Sequence, residues 1–244
     1  MPNLHDANST VSLLQELTEV EQAAQAALAD LTMPFAQLVQ SQWRRNFPLR
    51  RAAFVLTAGS TDALAPAAAE TLRRQRINLG AAIETLRLAL GVHTQLLVGD
   101  GQVAIDRSLL GSVILAGDFC FSRSAGLAAK TGSPVVVDLF AVALQRVSEG
   151  TLRGLFHPGE PLFDQDRDLS LSGVTAANEL AGLSLQQRNF DEAAANHLLD
   201  QPADSPTPLH VVFGASPASS DRLWRWQALE TWLQASGPQN TRAT

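Results

Sequence analysis

The chain has no tyrosine, one cysteine, two methionines and a single lysine among its 244 residues. A lone Cys120 cannot close a disulfide within the chain or supply a zinc cluster, and its setting, Phe119-Cys120-Phe121, predicts a buried, unreactive thiol. Charge is sparse at 17% and acidic in balance, with 24 Asp and Glu against 18 Lys and Arg, a formal net charge of −6. That surplus removes the broad basic face nucleic acid requires, so no nucleic-acid partner is expected. No apolar run approaches the roughly 20 residues of a membrane span, because Arg87 and Asp118 interrupt the two most apolar stretches. The opening residues, Met1 to Asp6, show no basic region followed by an apolar one, which predicts no secretory leader and a cytoplasmic location. Neither a GxxxxGK[ST] loop nor a strand-linked GxGxxG occurs. His5, His93, His157, His197 and His210 form no local metal-binding pair, and no metal site is expected. Ser124, in Ser122-Arg123-Ser124-Ala125-Gly126, lies in helical sequence rather than on the strand-to-helix turn of a hydrolase nucleophile.

What is present is alanine and leucine, with apolar residues recurring every three or four positions, the period of a helix. The chain therefore reads as all-α. A cap at Ser9-Thr10 opens a helix carrying Val11, Leu14, Leu17, Val20 and Ala24 on one face. Helices follow at about Pro34 to Trp43, Leu49 to Ala58, Ala63 to Arg74, Leu79 to Val98, Ser108 to Leu127 and Pro134 to Phe156. Leu79 to Val98 and Ser108 to Leu127 are apolar nearly all round, which predicts burial at the centre of a bundle, and for Ser108 to Leu127 also suits a helix-packed interface with another chain. A breaker cluster at residues 157–161 and a charged loop or helix entry at Asp164 to Asp168 separate these from shorter helices at about Gly173 to Leu183 and Leu185 to Leu199. A last amphipathic helix carries Leu223, Trp226, Leu229 and Leu233 behind a Ser219-Ser220-Asp221 cap. The expected organisation is one helical domain over residues 1–236, with 237–244 a frayed tail.

The middle of the chain resembles the trans-type polyprenyl (isoprenyl) diphosphate synthases, all-helical prenyltransferases. Arg51-Ala52-Ala53-Phe54-Val55-Leu56 is similar to the end of that family's GKxxRP segment and the helix after it. Ala81-Ala82-Ile83-Glu84 through Val92-His93 is similar to the helix leading into HDDxxD. Leu115-Ala116-Gly117-Asp118-Phe119 is similar to LxGD[YF], and Val147-Ser148-Glu149-Gly150 to the end of the following helix. Asn196-His197-Leu198-Leu199-Asp200 resembles a remnant of the second DDxxD, and Thr207 to Val212 the TLPLIYAL segment behind it. The resemblance implies an isoprenoid-synthase-like bundle, with residues 33–156 the core that best matches the family and 157–236 a C-terminal half that diverges from it and is shortened.

It also implies what is missing. In the family, two facing DDxxD motifs hold magnesium on an allylic diphosphate, neutralising the departing group. Here the first motif position reads His93-Thr94-Gln95-Leu96-Leu97-Val98, without a carboxylate, and the second retains only Asp200 beside Asn196 and His197. Of the basic residues that bind the second diphosphate, Arg51 remains as a candidate anion contact, within an Arg44, Arg45, Arg50, Arg51 cluster that also reads as plain solvated charge. The acidic surplus reads as surface charge. The implied role is a non-catalytic subunit of a heteromeric polyprenyl diphosphate synthase. It would hold no cofactor of its own, Mg2+ residing on a catalytic partner subunit, or else self-associate. A prenyl-chain or lipid-binding module is one alternative. A weakly active prenyltransferase using Asp100, Glu149 or Asp200 is the other.

Overall fold

A computed structural model describes residues 4–46, 49–59, 64–94, 107–156, 163–201, 206–213 and 220–236. Among these residues there are helices and no strand: α1 (Leu4–Leu28), α2 (Phe35–Asn46), α3 (Arg50–Ala58), α4 (Pro66–Thr94), α5 (Arg107–Ala129), α6 (Pro134–Phe156), α7 (Gln165–Leu180), α8 (Leu185–Asp200), α9 (Leu209–Phe213) and α10 (Ser220–Ala235). The all-α class expected from the 3.6-residue period is the class observed.

Helix α4 is the axis of the bundle and touches α1, α2, α3, α5 and α7. Between Leu79 and Val92 every residue but Arg87 is buried, which is what an all-round apolar stretch requires. One apolar cluster, running from Leu13 to Leu229, draws buried side chains from every helix except α2, whose partly buried Trp43 packs against it. A second joins Val39 of α2 to Leu88, Ala89 and Val92 of α4 and Val113, Ala116 and Cys120 of α5. Helix α10 presents Leu223, Trp226 and Leu229 to the core as its pattern predicts, and the Trp226 ring packs 5.9 Å from that of Phe54.

Four expectations need correction. The first helix opens at Leu4, ahead of the Ser9-Thr10 cap. The helices expected at Ala63 to Arg74 and Leu79 to Val98 are one, α4. The polar run Arg73-Arg74-Gln75-Arg76 breaks the apolar pattern, but it contains no Gly or Pro and its residues are good helix formers. Arg76 is moreover buried, donating to the Leu56 carbonyl and to Glu16 Oε1 at 3.0 Å. Helix α7 begins at Gln165, eight residues ahead of Gly173, because Asp164 caps it by accepting the Arg167 backbone N–H at 2.9 Å. Finally, the acidic residues are not all surface charge: Glu16, Glu84, Asp191 and Glu230 are buried, each against a specific donor. Asp191 accepts from Arg222 Nε at 3.0 Å and Trp226 Nε1 at 2.9 Å, and Arg222 also donates to the Ala58 carbonyl at 2.7 Å, so Arg222 fastens α10 to both α8 and α3.

Candidate functional site

The site is built around the first turn of α7, where consecutive residues reach different neighbours. Asp166 Oδ1 accepts from Arg51 Nη1 of α3 at 2.7 Å and from Arg87 Nε of α4 at 2.6 Å. Behind it, Glu84 Oε2 accepts from Arg51 Nε at 3.0 Å and Nη2 at 2.7 Å, while Glu84 Oε1 accepts the Ala52 backbone N–H at 2.9 Å. Arg167 reaches α8: its Nη2 donates to Asn196 Oδ1 at 2.7 Å, and its Nε and Nη2 donate to the two Asp200 oxygens at 3.1 Å each. Asp168 lies within the field of Arg146 on α6, and its Oδ2 is buried without a hydrogen-bond partner among the described residues.

The electrostatics follow from this geometry. Burial alone would raise the Asp166 carboxyl, but the Arg51 and Arg87 guanidiniums outweigh it and hold the pKa below the usual carboxylate value. Burial likewise works against the charge on Arg51, and Glu84 and Asp166 overcome it, leaving the guanidinium pKa above normal. Asp168 has no such compensation: burial pushes its pKa up and the two nearby arginines only partly offset that.

Arg51, the candidate anion contact, is thus 4% exposed and spends its donors on carboxylates of its own chain. It is not part of a solvated basic cluster, although Arg50 beside it is exposed. The side chains of Arg44 and Arg45 lie outside what is described. At the first motif position, Thr94 Oγ1 donates to the Gly91 carbonyl at 2.9 Å. His93 leans the other way, onto α5: its Nε2 stands 3.3 Å from the Ile114 carbonyl and 3.5 Å from Asp118 Oδ1, and its ring packs 5.0 Å from Phe121. Gly117 makes this possible, since a Cβ there would overlap the imidazole. The expected motif pieces Val92-His93 and Leu115 to Phe119 therefore meet. Gln95, Val98 and Asp100 lie outside the described residues.

At the second position Asn196 and Asp200 share one face of α8 and one partner, Arg167, whereas His197 points toward the following segment, its Nε2 2.7 Å from the Thr207 carbonyl. Sequence reasoning missed Arg87, Asp166 and Arg167 as site residues, and named Glu84 only as part of a helix. The available signal is the charged run Asp164 to Asp168, whose sequence alone predicts a loop or helix entry and not a clasp.

Among the described residues, the donor set at these two positions does not fit a divalent cation. The neutral groups at 93 and 94 are turned to α5 and to their own helix, and both Asp200 oxygens are taken by a guanidinium. Among the described residues no group of three His, Cys, Asp or Glu side chains is placed to hold a metal ion.

One further feature bears on function. Helix α5 is not buried all round, contrary to its sequence pattern. Leu110, Gly111, Ile114, Leu115, Asp118, Ser122, Ala125, Gly126 and Ala129 are exposed, and at 100° per residue they fall within about 160° of one face. Leu115 is 61% exposed, and a Cβ at Gly111 or Gly126 would meet nothing. Val135, Val137 and Val142 of α6 are exposed as well. Among the described residues no helix is long and apolar enough to cross a membrane.

No protein-family model matches the chain, and no curated protein matches it. Solved structures do. Geranylgeranyl pyrophosphate synthase from Lactobacillus brevis superposes with a TM-score of 0.60 at 14% identity, covering 93% of this chain and 84% of that one. A decaprenyl diphosphate synthase from Rhodobacter capsulatus gives 0.56 at 18% identity, covering 95% and 87%. The geranyl diphosphate synthase small subunit from Antirrhinum majus gives 0.50 at 15% identity, covering 97% and 95%. At such identities the likeness establishes the fold, which is the isoprenoid-synthase helical bundle that the sequence resemblance implied.

Proposed function

We propose that this protein is a non-catalytic subunit of a polyprenyl diphosphate synthase, working through association with a chain that carries both aspartate-rich motifs. The observation that carries the reading is the outer face of α5, a largely apolar and small-residue surface along a central helix whose Leu110, Ile114 and Leu115 no described residue of the chain covers. Leaving such a surface in water is unfavourable, and its flatness at Gly111 and Gly126 suits close approach by another helix. A second copy of this chain would cover the same face, which makes self-association the competing outcome.

The absence of chemistry from this chain has separate support. Ionising an allylic diphosphate requires concentrated positive charge held by carboxylates facing the leaving group, worth several kcal/mol. The two positions that would supply them carry His93 and Thr94, and an Asn196-Asp200 pair committed to Arg167. Similarity to a solved small subunit of geranyl diphosphate synthase is in keeping with this role.

Co-expression with a polyprenyl diphosphate synthase bearing both motifs, followed by affinity capture and mass determination, tests the reading. A complex of fixed stoichiometry is expected, with no chain elongation by this subunit alone on isopentenyl and allylic diphosphates with Mg2+. Elongation by the isolated chain would refute the non-catalytic role.

A second reading, binding of a prenyl or other lipid chain, is favoured by one observation. An open cleft of about 330 Å3 lies between the end of α1 and α2, lined by uncharged residues that include Leu28, Leu31, Ala36, Val39 and Trp43. That volume is in the range of small-ligand sites, and the lining suits an uncharged chain. Native mass spectrometry of freshly purified protein would reveal a retained lipid.

A further inference from the structure

We infer that Arg167 is an internal counter-ion that takes the place of a bound divalent cation at the end of α8, so that the α7–α8 contact is closed by the chain's own charge and is indifferent to metal. The inference rests on reading Asn196 to Asp200 as the second motif position, and it adds what became of that position.

The argument begins with where the two charges sit. Arg167 lies in the first turn of α7, where the helix dipole disfavours a cation, and Asp200 is the last residue of α8, where the dipole disfavours an anion. Neither placement helps its own helix. Each becomes favourable only when the two meet, and they do, through two N–H···O bonds of 3.1 Å to the two carboxylate oxygens. The same guanidinium donates to Asn196 Oδ1 at 2.7 Å, one helical turn back on the same face. One positive charge thus gathers three oxygens from α8, the task a hard cation performs with oxygen ligands, using a planar fork fixed by covalent geometry. The Asp200 hydrogen bond is the largest influence raising the Arg167 pKa, and Asp164 and Asp168 add to it.

The first motif position is likewise occupied by a contact within the chain. His93 bridges to the Ile114 carbonyl and toward Asp118 on α5, in space that Gly117 leaves open. Both positions therefore carry contacts between helices of this chain.

The test uses the intact chain alone, so its outcome is independent of whether a partner is found. Thermal unfolding is followed with EDTA and with millimolar Mg2+ for the wild type, Arg167→Met, Arg167→Lys, Asp200→Asn and the Arg167→Met/Asp200→Asn double variant. Hydrogen exchange is measured at the start of α7 and the end of α8. The wild-type Tm should be the same in EDTA and Mg2+. Arg167→Met should lower it by about 2–4 °C, and the double variant by no more than Arg167→Met alone, because that substitution already removes the bonds to both Asp200 and Asn196. Exchange should speed up in the two paired helix ends together, and Arg167→Lys, with charge but no fork, should fall between. The inference is overturned if Mg2+ raises the wild-type Tm and Asp200→Asn abolishes that rise, since Asp200 would then be serving a metal. It is equally overturned if the single losses add.

Discussion

Replacing Arg51 with methionine tests the central clasp most severely. The Glu84 side chain is fully buried and that of Arg51 is 5% exposed, so the substitution strands a carboxylate in the core with only the Ala52 N–H left to it. Removing one partner of a buried ion pair costs about 3–5 kcal/mol, because the remaining charge keeps its desolvation penalty without its compensation. The second carboxylate on Arg51, Asp166, is 54% exposed and retains Arg87, so it adds little to that cost. For a chain of this size the loss corresponds to a fall in Tm of about 6–20 °C. The double variant Arg51→Met/Glu84→Met should recover much of it, since an apolar pair of similar volume carries no buried charge. A residual cost of about 1–3 kcal/mol remains for the orphaned Ala52 N–H. Urea unfolding followed by circular dichroism gives both numbers, provided the denaturant dependence is unchanged. If Arg51→Met stays within about 1 kcal/mol of wild type, or if the double variant is as unstable as the sum of the singles, the clasp is not the buried, coupled pair described.

Other expectations can be checked on the same preparation. Gly117→Ala drives a Cβ into His93 and should destabilise by about 1–3 kcal/mol, whereas Gly126→Ala, facing open space in the same helix, should stabilise the isolated chain by roughly 0.5–1 kcal/mol; urea titrations of the pair decide it. Burial lifts the Cys120 thiol to about 12, so it should resist a thiol reagent at pH 8 in the native protein and react once urea unfolds the chain; fast native labelling would contradict the packing. Because Asp166 has a lowered pKa when folded, its contribution is present above the ordinary carboxylate pKa of about 4 and is lost as pH falls through the lower folded value. The stability gap between wild type and Asp166→Asn should therefore be full at pH 7 and shrink below pH 4; a gap that widens in acid would reverse the assignment.

How far the sequence reached depended on whether the determining interaction was local. Helical periodicity is local, so α5, α6, α8 and α10 emerge close to their observed bounds. The join in α4 did not, because the apolar pattern lapses at Arg73 to Arg76 although backbone preference does not. It is Arg76 reaching Leu56 and Glu16, 20 and 60 residues away, that makes a polar stretch part of the interior. The clasp was hidden for the same reason: Glu84 is 33 residues from Arg51 and Asp166 is 115, separations that no spacing rule connects. The loss of carboxylates at 93–94 was readable directly. That Asp200 is taken by Arg167 required the packing of α7 on α8. The sequence of α5 allows both burial within the chain and an interface with a partner, because leucine, isoleucine, glycine and alanine look alike whether they meet this chain or another, and only the packing shows which residues stay exposed.

The most direct measurement is the mass of the complex formed when this chain and a polyprenyl diphosphate synthase with both aspartate-rich motifs are co-expressed, for wild type and for Leu115→Arg. Leu115 is exposed, so the substitution leaves the isolated fold intact while placing a charge in the middle of the α5 face. Association through that face predicts a hetero-oligomer with wild type and two separate proteins with Leu115→Arg. A wild-type chain that stays monomeric beside the synthase, or a complex that Leu115→Arg leaves unchanged, would contradict it.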